Sequence, residues 1–160
     1  MNLTPIGIIR SPHQRAEGTP VQSALAVGME GTVEVFPEYA AGLRDLDGFD
    51  RIWLVYWFDR AKLAELAVTP YLDNAPRGLF ATRAPCRPNP IGLSSVRLLG
   101  ISGNILWVDG LDILDNTPLL DIKPYIPAFD AFEAKLIGWY GTAKGGSVAA
   151  DGRFESGGSG

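Results

Sequence analysis

Arg83 and Arg87 stand four residues apart in the stretch GLFATRAPCRPNPIGLS, residues 78–94, which contains no acidic residue. Each guanidinium is a planar fork of donors that stays charged, a shape that suits carboxylates and phosphates. Pro85, Pro88 and Pro90 fix their own φ and push Ala84, Arg87 and Asn89 toward extended geometry. A loop stiffened in this way loses little entropy when a ligand arrives, which suits an anion-holding loop. Taken alone, the same residues also fit a proline-rich connection with solvated arginines. A second run, LDILDNTPLLDIKPY at residues 111–125, sets Asp112 and Asp115 around two apolar residues and makes a turn at Thr117 and Pro118. It also puts Asp121 and Lys123 on one side of a strand. Carboxylates so placed can accept from a ribose, hold a cation, or neutralise arginines. A six-oxygen metal shell needs more acids than this run offers, so no metal is expected.

Other chemistries are excluded by count or pattern. Cys86 is the one cysteine and His13 the one histidine, so a single chain cannot assemble a Cys/His zinc cage or a dithiol pair. The chain carries no GxGxxG after a strand, no Walker loop, no HExxH and no GxSxG. No apolar run approaches the ~20 residues that span a bilayer, and the first residues, MNLTPIGIIRSP, lack the pattern of a signal peptide. A cytoplasmic protein with no membrane partner is expected. The net charge of −4 disfavours nucleic acid at first sight, but its distribution does not. Residues 1–16 hold Arg10 and Arg15 and no acid, and residues 74–108 hold Arg77, Arg83, Arg87 and Arg97 and no acid. If the two stretches meet, they form a positive site on an acidic body.

The elements that must position these residues are short and mostly strands. PIGIIRS at 5–11 and GTVEVF at 31–36 read as strands, joined by a long polar connection over 13–29 of the kind that is functional or disordered. RIWLVYWF at 51–58 is almost continuously apolar and reads as a strand buried on both faces. A short strand at 79–82, a hairpin of 95–101 with 105–108 around Gly103 and Asn104, and a strand at 119–122 complete the β elements. Helices are expected at 37–46, 62–66 and 131–137. Without alternating βαβ units the chain reads as mainly β, a small single-sheeted barrel of six or seven strands with a few short helices. The expected division is a barrel domain over residues 1–142 and a flexible tail over 143–160, ending ESGGSG.

PIGIIRSP, GFDRIWLVYWF, GLFATRAPCRPNPIGLSSV and LDILDNTPLLDIKPYIP, in this order, resemble the TrmO family, also described as TsaA-like or YaeB-like, over about residues 5–127. The resemblance implies a homodimeric β-barrel methyltransferase that uses S-adenosylmethionine and methylates N6 of threonylcarbamoyladenosine at position 37 of tRNA. It implies cofactor contacts at Pro20, Val21 and Gln22, at Asp59 and Arg60, at Arg83 and Leu93, and at Gly110, Leu111 and Asp112. Asp115 or His13 is the expected acceptor of the N6 proton, and Arg87, Asn89 and Lys123 are assigned to substrate or dimer geometry. Two other readings stay open: methyl transfer to another small or nucleoside substrate, and a non-catalytic barrel that binds an anionic metabolite or RNA.

Overall fold

The computed structural model describes residues 2–156. Six strands close an antiparallel barrel: β1 (Gly7–Arg10), β2 (Glu30–Val35), β3 (Arg51–Trp57), β6 (Ile91–Ser102), β7 (Ile105–Asp109) and β8 (Thr117–Pro124). Around the barrel they run β1-β2-β7-β6-β3-β8, and a separate ribbon pairs β4 (Ala67–Val68) with β5 (Arg77–Gly78). This is the mainly β, single-sheeted barrel expected from the pattern of short strands. Alternate residues fill it. Ile9, Val33, Val35, Ile52, Leu54, Val96, Leu106, Val108 and Leu119 are almost wholly removed from water, each contributing about 1.5–3 kcal/mol of burial.

β3 is not buried on both faces as its composition suggests. Ile52, Leu54 and Tyr56 point inward, whereas Trp57 on the alternate face is exposed. A closed barrel has one inside, so half of even a very apolar strand must face outward. The hairpin turn falls at Gly103 and Asn104 as expected, with Gly103 at φ 58°. The first strand of that hairpin begins earlier than the expected residue 95, because pairing with β3 begins at Ile91, inside the proline-rich stretch.

The helices depart most from expectation. Residues 37–43 form a 3-10 helix that ends before Asp45, which takes φ 67°, and a second 3-10 turn covers Leu46–Gly48. No helix forms at 62–66, because those amides serve distant partners: Lys62 N donates to Phe154 O at 3.0 Å and Glu65 N to Cys86 O at 3.2 Å. The one α-helix among the described residues, α1 (Pro127–Asp130), precedes the expected span, and Phe132 and Leu136 within 131–137 are exposed. A seven-residue amphipathic stretch with no surface to cover its apolar face cannot offset the cost of nucleating a helix. The strand expected at 79–82 is a 3-10 turn over Leu79–Ala81. Residues 143–156, expected as tail, lie against the body: Pro20 bridges to Ala149, Ala61 to Glu155 and Asp73 to Gly145. Of the expected ESGGSG ending, residues 157–160 lie outside the described residues.

Candidate functional site

Within β6, Gly92 sits under the ring of Tyr56, where a Cβ would meet the ring carbons at 2.2 Å. The missing side chain lets Tyr56 lie across the strand, so its hydroxyl comes 3.0 Å from Ser94 Oγ. Ser94 in turn donates to Asp112 Oδ1 at 2.6 Å. A carboxylate only accepts, so the protons of Ser94 and Tyr56 both run toward Asp112. Burial pushes the Asp112 carboxyl above the usual carboxylate range, opposed by the Ser94 hydrogen bond. Burial also raises the Tyr56 hydroxyl, which keeps it a donor. Just before Asp112, Gly110 turns the chain at φ 95°, and Ser23 Oγ lies 2.8 Å from its carbonyl.

On the loop before β6, Arg83 Nη1 donates to Gln22 Oε1 at 2.6 Å. Both line one cleft of about 540 Å³, formed where residues 22–27, 109–112 and 125–130 meet β3 and β6. Arg51, Trp53, Leu93 and Tyr125 supply further walls, and Trp53 packs on Tyr125 with ring centroids 5.6 Å apart. Arg51 Nη1 donates to Ser95 O at 2.8 Å. The two basic stretches do not pool their charge. Arg10 pairs with Glu34 and Arg15 with Glu17, each at 3.9 Å, and Arg77 with Asp73 at 2.6 Å. Arg51 and Arg83 have no carboxylate partner among the described residues, so theirs is the cationic charge at the cleft.

Of the residues expected to hold a cofactor, Gln22, Arg83, Leu93, Gly110 and Asp112 line the cleft. Leu111 is fully buried beneath it. Pro20 and Val21 lie just outside, paired with residues 148–149. Asp59 and Arg60 sit elsewhere: Arg60 Nη2 donates to Asp115 O at 2.5 Å, and Asp59 Oδ1 is 3.7 Å from Arg60 Nε. Asp115 accepts from Ser11 N at 3.0 Å and from the Asn116 amide at 2.8 Å. His13 Nε2 is 2.9 Å from Leu111 O. A carbonyl accepts only, so Nε2 carries the proton and a neutral ring keeps Nδ1 as an acceptor. Arg87 turns onto its own loop, with Nη1 3.0 Å from Thr82 O and 3.4 Å from Ala84 O. Asn89 is exposed, and Lys123 pairs with Asp121 at 2.7 Å.

A model of the tRNA-methyltransferase O N-terminal domain matches residues 8–131. The chain belongs to the tRNA-methyltransferase O family. Within the family it is 53% identical over 154 residues to a probable S-adenosyl-L-methionine-binding protein of Pyrococcus abyssi, covering 95% of this chain and 84% of that one. It is 37% identical to the Escherichia coli tRNA (adenine(37)-N6)-methyltransferase, covering 76% of this chain and 56% of that protein. A crystal structure of TrmO from Pseudomonas aeruginosa superposes with a TM-score of 0.72 at 39% identity, over 86% of this chain and 62% of that one. The chain thus spans little more than half the length of these two methyltransferase relatives.

Family motifs alone did not single out Tyr56, Ser94, Arg51 or Trp53. Ser94 lies inside IGLSS and Tyr56 in the aromatic strand read as buried on both faces, and neither pattern assigns the residue a partner. Their meeting depends on the β3/β6 register that sets Tyr56 opposite Gly92 and Leu54 opposite Ser94.

Proposed function

We propose that this chain is a methyltransferase domain that binds S-adenosylmethionine and methylates N6 of threonylcarbamoyladenosine at position 37 of tRNA. The observation that carries the reading is that Arg83 and Asp112, far apart in sequence, line the same cleft. That cleft has the size of a small-ligand site and the donor set this ligand requires. Arg83 and Arg51 suit the methionyl carboxylate, Asp112 the ribose hydroxyls, and Leu93 and Trp53 the adenine face. When bound, S-adenosylmethionine supplies a methyl group already activated on a sulfonium.

The chain's own task is then orientation, which can supply roughly 7 kcal/mol or more. The Tyr56–Ser94–Asp112 row supports this, because it fixes the carboxylate before any ligand arrives. Asp115 and His13 are our candidates to receive the N6 proton. His13 keeps Nδ1 available, and Asp115 is held in place by the Ser11 amide. Unchanged turnover in His13→Ala or Asp115→Ala removes that residue from the role.

We take the working unit to be a cytoplasmic homodimer. Support comes from Trp57, Phe80 and Leu93, exposed at 46%, 75% and 56%. Sedimentation of the purified chain tests the dimer.

The decisive experiment offers S-adenosylmethionine with threonylcarbamoylated and with unmodified tRNA. Only the former is expected to gain a methyl group. A second reading draws on the Pyrococcus relative, which is named for binding rather than for transfer. Under it the cleft holds S-adenosylmethionine for another small or nucleoside acceptor, or without catalysis. Tight binding with no transfer to either tRNA favours that reading.

A further inference from the structure

Residues 145–156 run behind the loops that meet at the cleft and do not line it. Against the connection that leads into Gln22 they form a short ladder. Gly18 N donates to Ala150 O at 2.9 Å, Ala150 N to Thr19 O at 2.7 Å, and Val21 N to Val148 O at 3.1 Å. The same segment reaches the turn at Asp115 through Arg60. The Arg60 carbonyl accepts the Ser156 amide at 2.9 Å and its hydroxyl at 3.0 Å, while the Arg60 guanidinium holds the Asp115 carbonyl. It reaches the arginine loop through Phe154, which is buried with Leu79, Ala84 and Cys86. Glu155 Oε1 adds an acceptor for Ala16 N at 3.1 Å.

We infer that residues 145–156 form a strap that holds residues 18–22 in the binding conformation, so that cofactor affinity is set partly by residues outside the cleft. This rests on the S-adenosylmethionine reading above. Residues 18–21 form no strand of their own. Without the strap, they would be ordered only on binding, at about 1–2 kcal/mol of backbone entropy per residue. Ordering them in advance converts that cost into affinity. The strap lies beyond the span matched by the family model, yet the Pyrococcus alignment, which takes in 95% of the chain, extends into it.

The test uses the full chain with Ala150→Pro, which removes the donor to Thr19 and leaves every cleft residue in place. Titration with S-adenosylmethionine should show binding weakened about tenfold. Hydrogen exchange should quicken at the Gly18 and Val21 amides while β3 and β6 amides keep their protection. Glu155→Ala, a milder change that removes the Ala16 acceptor, should weaken binding about threefold, and it decides the matter if Ala150→Pro unfolds the barrel. Unchanged affinity in a variant whose loop amides exchange faster overturns the inference, as does unchanged loop exchange. A wild-type chain with no affinity for S-adenosylmethionine strikes the cofactor reading instead, and exchange at Gly18 and Val21 then decides the strap alone.

Discussion

Among the described residues, one hollow of about 620 Å³ opens beside Leu43 and Ile101 and another of about 540 Å³ is lined by Arg83 and Asp112. The larger carries Arg44, Asp45 and Asp47, all exposed, so its charges are solvated and free to point elsewhere. The smaller has a half-buried carboxylate with two hydroxyls queued behind it and a guanidinium fixed on a glutamine. Volume does not separate them. What separates them is how much of each polar group's orientation is settled before a ligand arrives, because only settled dipoles act without a reorganisation cost.

The contrast breaks most directly at the carboxylates. Asp112→Ala removes the acceptor in the cleft and should weaken S-adenosylmethionine binding by about 2 kcal/mol, roughly thirtyfold, the usual size for a hydrogen bond to a charged group. Asp45→Ala, in the larger hollow, should leave the titration unchanged. Equal effects at the two sites would mean that the organised row behind Asp112 has no bearing on binding.

The row itself depends on a missing methyl group. Gly92→Ala would drive a Cβ into the Tyr56 ring at 2.2 Å, and the ring can move only by giving up its place beside Ser94. A loss of about 1–3 kcal/mol of folding stability is expected by denaturant titration. Gly42→Ala, near the larger hollow, meets nothing within 4 Å and should not destabilise. A stable Gly92→Ala chain would show that Tyr56 has another place to go.

How far this contrast was legible in the sequence follows from what each part depends on. Residues 31–36 announce a strand by alternation and residues 51–57 by an apolar run of strand length, both local properties, and the barrel follows once six such strands must bury their inner faces. Arg83 and Asp112 could be named because their motifs are long. The row of Tyr56, Ser94 and Asp112 could not, since it exists only at one register of β3 on β6 and one closure of the chain after β7. The helices failed for the converse reason. Residues 62–66 have helical composition, but their amides are taken by Phe154 and Cys86, partners more than twenty residues away. The contacts of residues 145–156 were hidden because the segment is rich in small residues, and much of its bonding runs through the backbone.

The pH dependence sharpens the same comparison at smaller scale. Burial raises the Asp112 carboxyl in the folded chain above its unfolded value. The folded state therefore binds that proton more tightly, and the stability this confers is present at low pH and lost as pH rises through the raised value. Asp112→Asn has no such proton. Its melting temperature relative to the native chain should climb as pH rises from about 4, where an unfolded aspartate titrates. A difference that stays flat with pH would mean that the Asp112 carboxyl is well solvated in the folded chain.

The smallest effect is expected at Lys123, whose 2.7 Å pair with Asp121 lies on the outside of β8 with both side chains well exposed. Exposed pairs contribute about 0–1 kcal/mol, since solvent screens the attraction and two side chains must be held still. Lys123→Ala should therefore change folding stability by less than about 0.5 kcal/mol. Its position opposite Trp53 in the β3/β8 register nonetheless puts it beside a cleft wall. If it also meets a tRNA phosphate, the substitution should reduce the salt dependence of tRNA binding by about one phosphate contact while leaving S-adenosylmethionine affinity as it was. An unchanged salt slope would confine Lys123 to its pair with Asp121.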